Sequence, residues 1–522
     1  MKIVSFSPFG YEGAMVIVEV DLRRGIPSCD VVGLADCAVK EARERMRSAI
    51  RNSGLEFPLE RVLINLSPAD LKKEGSGFDL AIALAVLQAA SPEDFPENTK
   101  EKILVMGELE LSGKVREVRG THAAILTASE ENIKYCIIPK NHNIQPHDLG
   151  DIQIFPVGSL LEAKDVLERI ANNNECELIE NAEKNEEKTQ SLVDFPDFPK
   201  EMDFTSVKNQ TVLVRGLQIA AAGKHNLLAF GPPGCGKTLS LQRYISLLPS
   251  LSLKESREVT RIWSLAGLIS PETQLMKNPP FRMPHQSASL EGLVGGGIHC
   301  HPGEISLAHN GVLFLDEAAE FKTSVLQTLR VPLESHAITL SRAGRHTVFP
   351  ADFQLLIATN PCPCGNFGSP DKLCLCSSLA VENYWKKFSG PLLDRVDIRV
   401  PLLQKQTLPR DFPSEAGIYS GISTKELRVG IQKAREIQIA RQGKLNSKLT
   451  PEEISFYCKL HPFLEEYLAN IADKHDFSTR AVHSCIKLAR TIADMQGFYD
   501  IKLENLEEAV FYRKSQGMID ML

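Results

Sequence analysis

The sequence offers no apolar run of membrane-spanning length. Its stretch AIALAVL, residues 81–87, is far shorter than the roughly 20 residues a spanning helix needs. The opening MKIVSFSPFG lacks the basic-then-apolar layout of a secretory leader. Together these absences predict a cytoplasmic protein with no membrane partner. They also bear on the 12 cysteines, because a chain without an export signal works where thiols stay reduced, which argues against disulfides. Eight of the 12 stand singly and read as small packing residues. An excess of basic charge is missing too. The net charge is −7, and residues 171–200, with eight Asp/Glu and three Lys, hold −5 of it, leaving −2 for the rest. Overall charge therefore says little about partners. Internal repeats are absent, as is any low-complexity tract outside that acidic segment.

At 522 residues the chain is too long for one hydrophobic core, so two or three domains are expected. Residues 1–170 alternate β-type runs (MVIVEVDL, RVLINLS, KILVMGEL, YCIIP, IQIFPV) with helical stretches (CAVKEARERMRSAIRNSG, DLAIALAVLQAA, THAAILTASEEN), which reads as an α+β or α/β domain. Residues 171–200 are polar, acidic and poor in large apolar side chains, as a linker would be. Residues 201–405 again alternate strands and helices, with glycine-rich loops between them. From about 423 the pattern is helical throughout (TKELRVGIQKAREIQIARQG, FLEEYLANIADKH, STRAVHSCIKLARTIADMQG, NLEEAVFYRKSQ), so residues 406–522 read as a helical bundle.

The segment NLLAFGPPGCGKTLSLQ fits G-x-x-x-x-G-K-[ST], with Gly231, Pro232, Pro233, Gly234, Cys235, Gly236, Lys237 and Thr238 between an apolar strand and a helix. Glycines let consecutive N–H groups turn toward a phosphate, and the helix N-terminus adds partial positive charge. Lys237 then reaches the β- and γ-phosphates of ATP, and the Thr238 hydroxyl ligates Mg²⁺. A chance glycine-rich turn is the competing explanation, and the next motif argues against it. In NGVLFLDEAAEF, four apolar residues, Val312 to Leu315, form a buried strand that ends on Asp316 and Glu317. Asp316 is placed to hold the Mg²⁺ shell. Glu317 is placed to polarise an attacking water, which implies hydrolysis and not binding alone. A bare Asp-Glu pair is usually a solvated loop, but this one follows a hydrophobic strand about 80 residues after the phosphate loop.

A third strand, FQLLIATN, ends on Asn360, which resembles the sensor 1 residue that orients the lytic water in AAA+ ATPases. In SGPLLDRVDIRV, Arg395 resembles the arginine finger that enters a neighbouring subunit's site, a device that contributes about 10³–10⁵ in rate. In FSTRAVHSCIKLAR, Arg480 resembles sensor 2, expected to touch the γ-phosphate of its own subunit. Taken singly, each arginine would read as a surface salt bridge or a plain helix-surface residue.

The ordered set of segments RGLQIAAAGKHNLLAFGPPGCGKT, HPGEISLAHNGVLFLDEAAEF, LRVPLE, NPCPCG, SGPLLDRVD and STRA…KLARTIADM resembles the ComM/YifB family of Mg-chelatase-like AAA+ proteins. The likeness extends to FSPFGYEGAMVIVEVDL and LINLSPADLKKEGSGFDLAIALAVL in the first half, and covers nearly the whole chain except the linker. The resemblance implies a homohexameric ring of the helix-2-insert branch, with ATP and Mg²⁺, acting as a DNA helicase or branch-migration factor on single-stranded or branched DNA in recombination or uptake. It also implies two loops in the ring's channel. One is SASLEGLVGGGIHCHPGE, where Gly295, Gly296 and Gly297 would allow a mobile tip. The other is HAITLSRAGRHTVFPA, a hairpin with Arg342 and Arg345 at its tip beside His346, suited to tracking a phosphate backbone without reading sequence. A solvated basic turn is the alternative for that tip. A chelatase-like or chaperone-like motor acting on a protein partner is the alternative for the whole chain.

The N-terminal 170 residues resemble the C-terminal domain fold of Lon protease. Lon-type cleavage needs a Ser nucleophile and a Lys base. Here KEGSGFDLAIA supplies only Ser76, with Lys72 and Lys73 nearby, and GTHAAI has His122 where Lon has its lysine. Ser76 is expected to start a helix, and an inactive protease fold is expected. The last feature is NPCPCGNFGSPDKLCLC, which sets Cys362, Cys364, Cys374 and Cys376 as two C-x-C pairs nine residues apart, with Gly365, Gly368 and Pro370 able to turn the chain. Packing thiols and disulfides are the competing readings. Four thiolates could instead converge on a structural Zn²⁺, with an apparent binding energy of about 10–16 kcal/mol, and so brace the loop after the sensor strand.

Overall fold

The computed structural model describes residues 1–33, 37–69, 71, 73, 75–95, 101–140, 152–172, 193–270, 272–297, 300–342, 345–367, 372–402 and 421–514. Most of the expected linker, residues 173–192, lies outside them. The first region carries a seven-stranded mixed sheet in the order Cys29–Val32, Arg61–Ser67, Ala14–Arg23, Lys2–Ser7, Lys102–Val105, Tyr135–Pro139, Gln153–Val157. Its last four strands run parallel to one another. The helix Asp79–Ala90 is apolar on every side from Leu80 to Leu87, and it is buried from Asp79, which pairs with Arg45 at 2.8 Å, to Leu87. It packs on the sheet and between the helices Cys37–Asn52 and Leu160–Ala171, as an all-apolar helix must.

The second region is built on five parallel strands in the order Phe281–Arg282, Val312–Leu315, Gln354–Thr359, Leu227–Phe230, Ile398–Pro401. The three central strands are buried along their whole length. This explains their unbroken apolar sequence, since both faces of such a sheet are covered. Parallel strands deliver their C-terminal ends to one edge, where ligands of open α/β sheets bind. Gly231, Asp316 and Asn360 each follow one of these strands directly.

Helices Thr424–Gln442, Pro451–Tyr457, Pro462–Lys474, Thr479–Gln496 and Leu503–Lys514 form the C-terminal bundle. Ser423 with Glu426 and Thr450 with Glu453 make capping boxes, and Gly443 and Gly497 close two helices in the left-handed conformation. The bundle packs on Thr211–Gly223 and is pinned by the buried pair Arg215–Glu508 at 2.7 Å. The mixed α/β architecture with a parallel sheet and a helical C-terminal region agrees with the sequence expectation. Among the described residues no helix is long and apolar enough to cross a membrane.

The first region also packs on the second. Helix Thr121–Glu130 lies on helix Leu253–Ala266, and the Ala123 amide donates to Ser264 Oγ at 3.3 Å. The Tyr11 amide donates to Thr347 Oγ1 at 3.0 Å, and the Tyr11 ring meets Phe349 edge-on at 6.1 Å.

Candidate nucleotide and thiol sites

The phosphate loop depends on its glycines. Gly234 and Gly236 have φ of +79° and +80°, and a Cβ on Gly231 would stand 2.5 Å from the Leu402 carbonyl oxygen. Helix Lys237–Gln242 starts at once, so its free N–H groups face the loop. Lys237 Nζ donates to the carbonyls of Gly231 (2.6 Å) and Pro232 (2.9 Å) and to Asn360 Oδ1 (3.2 Å). Burial holds its ammonium below the ordinary lysine value, against the pull of Cys235 and Asp316. Thr238 Oγ1 donates to Asp316 Oδ1 at 3.2 Å. A hydroxyl and a carboxylate converge there, the hard oxygen donors that suit Mg²⁺.

Glu317 has φ +47°, uncommon for a residue with a side chain, and its amide donates to Asp316 Oδ1 at 3.0 Å. Its carboxylate accepts a hydrogen bond from Gln286 Nε2. Gln286 escaped the sequence reading, since an isolated glutamine in a loop carries no motif. The structure thus brings Lys237, Thr238, Asp316, Glu317 and Asn360 to one strand edge.

Arg395 and Arg480 are placed together elsewhere. Arg395 Nη2 lies 2.6 Å from Glu334 Oε1, and Arg480 Nη2 reaches the same oxygen. The two guanidinium groups hold the Glu334 carboxyl below its usual range. All three line a cavity of about 460 Å³ between the sheet domain and the bundle, with Asp352, Lys448 and Lys487. The sequence expects Arg480 at its own subunit's phosphate. Helix Thr479–Gln496 sets Arg480 at its second residue, beside Arg395 on the Glu334 side, and not in the cluster around Lys237.

The hairpin Ala337–Arg342/Arg345–Pro350 forms, and Arg342 and Arg345 stand opposite each other in its register. His346 Nδ1 pairs with Ser341 Oγ at 2.6 Å. The side chains of Arg342 and Arg345 lie outside the described residues. In the other loop, Gly295 and Gly296 pair with Pro302 and His301, and the Gly297 amide donates to Glu291 at 2.7 Å. A Cβ on Gly295 would meet the His301 carbonyl oxygen at 2.5 Å. At Gly295 glycine serves close backbone approach, which the expectation of a mobile tip did not include.

In the first region Ser76 donates to the Glu108 carboxylate, and Lys73 Nζ donates to the Pro68 carbonyl. His122 Nε2 meets the Thr273 carbonyl oxygen at 2.9 Å across the interdomain contact, and burial holds its pKa below the ordinary value.

The four cysteines converge. Cys362 Sγ is 3.4 Å from Cys364 Sγ and 3.7 Å from Cys374 Sγ, Cys364 Sγ is 3.5 Å from Cys374 Sγ, and all four sulfurs, with Cys376, lie within 4.8 Å of one another. The Phe367 amide points to Cys362 Sγ at 3.4 Å.

Residues 203–408 match the family described as magnesium chelatase, subunit ChlI; residues 18–142 match subunit ChlI of Mg-chelatase, and residues 421–513 its C-terminal part. The chain is 38% identical over 525 residues to competence protein ComM of Haemophilus influenzae, covering 100% of this chain and 98% of that protein. It is 39% identical over 514 residues to YifB of Escherichia coli, covering 97% and 95%. A shorter likeness, 26% over 175 residues, joins it to Lon protease of Mesomycoplasma hyopneumoniae, across 31% of this chain and 19% of that one. With this geometry and these full-length likenesses, the chain belongs to the ComM/YifB family of Mg-chelatase-like AAA+ ATPases.

Proposed function

We propose that the protein is a Mg-ATP-hydrolysing motor that moves DNA, working as a ring of six chains in the manner of a helicase or branch-migration factor of recombination or DNA uptake. The observation that carries the DNA reading is the register of the hairpin, which sets Arg342 directly across from Arg345. Two cationic residues at the tip of a hairpin can pair with anions. A polyphosphate strand supplies such anions at every step and asks for no base contacts. The full-length likeness to a protein named for competence supports the same direction.

The chain's own groups perform the hydrolysis. The amides after Gly234 and the helix that starts at Lys237 would cradle the phosphates, and Lys237 would meet the terminal ones. Thr238 and Asp316 would hold Mg²⁺, which neutralises charge on the phosphate oxygens when bound. Glu317 takes the proton of the attacking water, with Asn360 orienting that water and Gln286 fixing the carboxylate. Arg395 and Arg480, paired on Glu334, would be offered to the neighbouring subunit's phosphates. The cysteine cluster would hold a structural Zn²⁺.

The match to a magnesium chelatase subunit favours a second reading, a motor that remodels a protein partner. Steady-state ATPase rates with and without single-stranded and branched DNA separate the two, with Glu317→Gln as the blank. A several-fold stimulation that falls with salt and is lost in Arg342→Ala is expected. An ATPase indifferent to every DNA would overturn the DNA reading.

A further inference from the structure

The segment that follows the sensor strand carries two of the four cysteines and also walls the phosphate loop. Gly365, at φ +77°, comes so close to the loop that a Cβ there would stand 2.9 Å from Pro233 Cδ and 3.9 Å from Asn360 Cγ. Its amide donates to the Cys362 carbonyl at 3.0 Å, which fixes the turn between the two thiols. Trp385 Nε1 donates to the Pro361 carbonyl at 3.0 Å. The same indole meets Phe230, the residue before Gly231, edge-on at 5.5 Å. One short run of chain therefore joins Asn360, Pro233 and the thiol cluster.

On the far side of the cluster, among the described residues, the leucines beside the cysteines do not pack inward. Leu373 and Leu375, which alternate with Cys374 and Cys376, are 81% and 84% exposed. Apolar packing cannot anchor a strand of chain whose large side chains face water. The sulfurs are the joint. The 3.4–3.7 Å separations among Cys362, Cys364 and Cys374 are far from the roughly 2.05 Å of a disulfide. They are close to the roughly 3.8 Å edge of a tetrahedron whose Zn–S bonds are about 2.3 Å. A backbone N–H group also points at a sulfur, Phe367 at Cys362. A donor of that kind orients a metal ligand.

We infer that Cys362, Cys364, Cys374 and Cys376 bind one zinc ion, and that this ion holds Gly365 against Pro233 and Asn360, so that ATP affinity depends on metal occupancy. The inference rests on the zinc and nucleotide readings above and adds the coupling between them. Binding releases the thiol protons to solvent and involves no redox change.

The test uses the full-length chain purified without chelator. Zinc is measured by mass spectrometry, cobalt loading reports tetrahedral thiolate coordination by its visible absorption, and a fluorescent ATP analogue reports affinity. About one zinc per chain is expected. Stripping it should weaken the analogue's binding about tenfold or more, and returning zinc should restore it. Gly365→Ala should keep the metal yet weaken binding similarly, because a Cβ at this left-handed, crowded position pushes the turn away from Pro233; this variant covers the case in which Cys374→Ser fails to fold. A chain without zinc that gives no tetrahedral cobalt spectrum overturns the metal site. A zinc-bearing chain whose affinity is unchanged by stripping overturns the coupling while leaving the site. Zinc-loaded wild-type protein that binds no nucleotide overturns the nucleotide reading, and the coupling with it.

Discussion

Glu317 and Glu334 are carboxylates with opposite assignments at the residue scale. Glu317 is held at φ +47° at the end of a buried strand, with Gln286 on its carboxylate. Glu317→Gln is expected to lower kcat about 10²–10⁴-fold, the range for removal of a general base, while ATP-analogue affinity stays within about twofold. Single-turnover hydrolysis beside equilibrium binding checks this. Glu334 places one oxygen between Arg395 and Arg480 and so fixes their spacing. Glu334→Gln is expected to lower kcat about tenfold with little change in KM, since an amide holds two cations poorly. Arg395→Ala should cost about 10³-fold or more in kcat. A full Michaelis–Menten series on all three variants decides it. Both arginines were legible in the sequence from the motifs around them. Glu334 stood there only as the end of LRVPLE, because its chemistry arises from the meeting of positions 334, 395 and 480.

At the scale of elements, the joint between sheet domain and lid is polar. Asp397 accepts from His225 Nδ1 at 3.1 Å and from Ser484 Oγ at 2.6 Å, and Ser484 belongs to helix Thr479–Gln496. Burial opposes its charge, yet His225 and Ser484 prevail and bring its pKa down to about 2. A carboxylate depressed in the folded state contributes stability that is present above its unfolded value of about 3.9 and is lost as pH falls toward 2. Wild-type melting temperature should therefore drop between about pH 4 and 2 more steeply than that of Asp397→Asn, as scanning calorimetry across that window would show. The strands around the nucleotide were legible as apolar runs because a covered parallel sheet has no polar face to interrupt them. The placement of Arg480 was not, because helical periodicity says nothing about which neighbour a helix end will meet.

Over the whole molecule, the first region reaches both loops that the resemblance would place in a ring's channel. Tyr11 meets Thr347 and Phe349 of the hairpin, and Arg119 Nη2 meets His301 Nδ1 of the glycine loop at 2.7 Å. Arg261 adds a cation over the Tyr11 ring at 5.4 Å, an interaction of about 0.5–2 kcal/mol. A Tyr11→Ala/Arg119→Ala double variant is expected to raise amide hydrogen exchange severalfold at 295–302 and 337–350, and far less in the buried strand Gln354–Thr359. Exchange mass spectrometry of the two proteins checks it.

The sequence by itself determined what needs only local order. Gly231, Gly236, Lys237 and Thr238 are one turn of chain, Asp316 and Glu317 are adjacent, and each set follows an apolar strand whose burial its own composition ensures. The C-x-C pairs likewise announced a thiol site, though not that their loop lies on Pro233. The tertiary structure alone decided every pairing between distant segments: Lys237 with Asn360, Glu334 with two arginines, Gly365 with the phosphate loop, and His122 turned to Thr273. The reason is physical. A motif fixes which groups a short segment can offer, whereas a side chain's partner depends on how the sheets and helices pack, and that is a property of the whole chain.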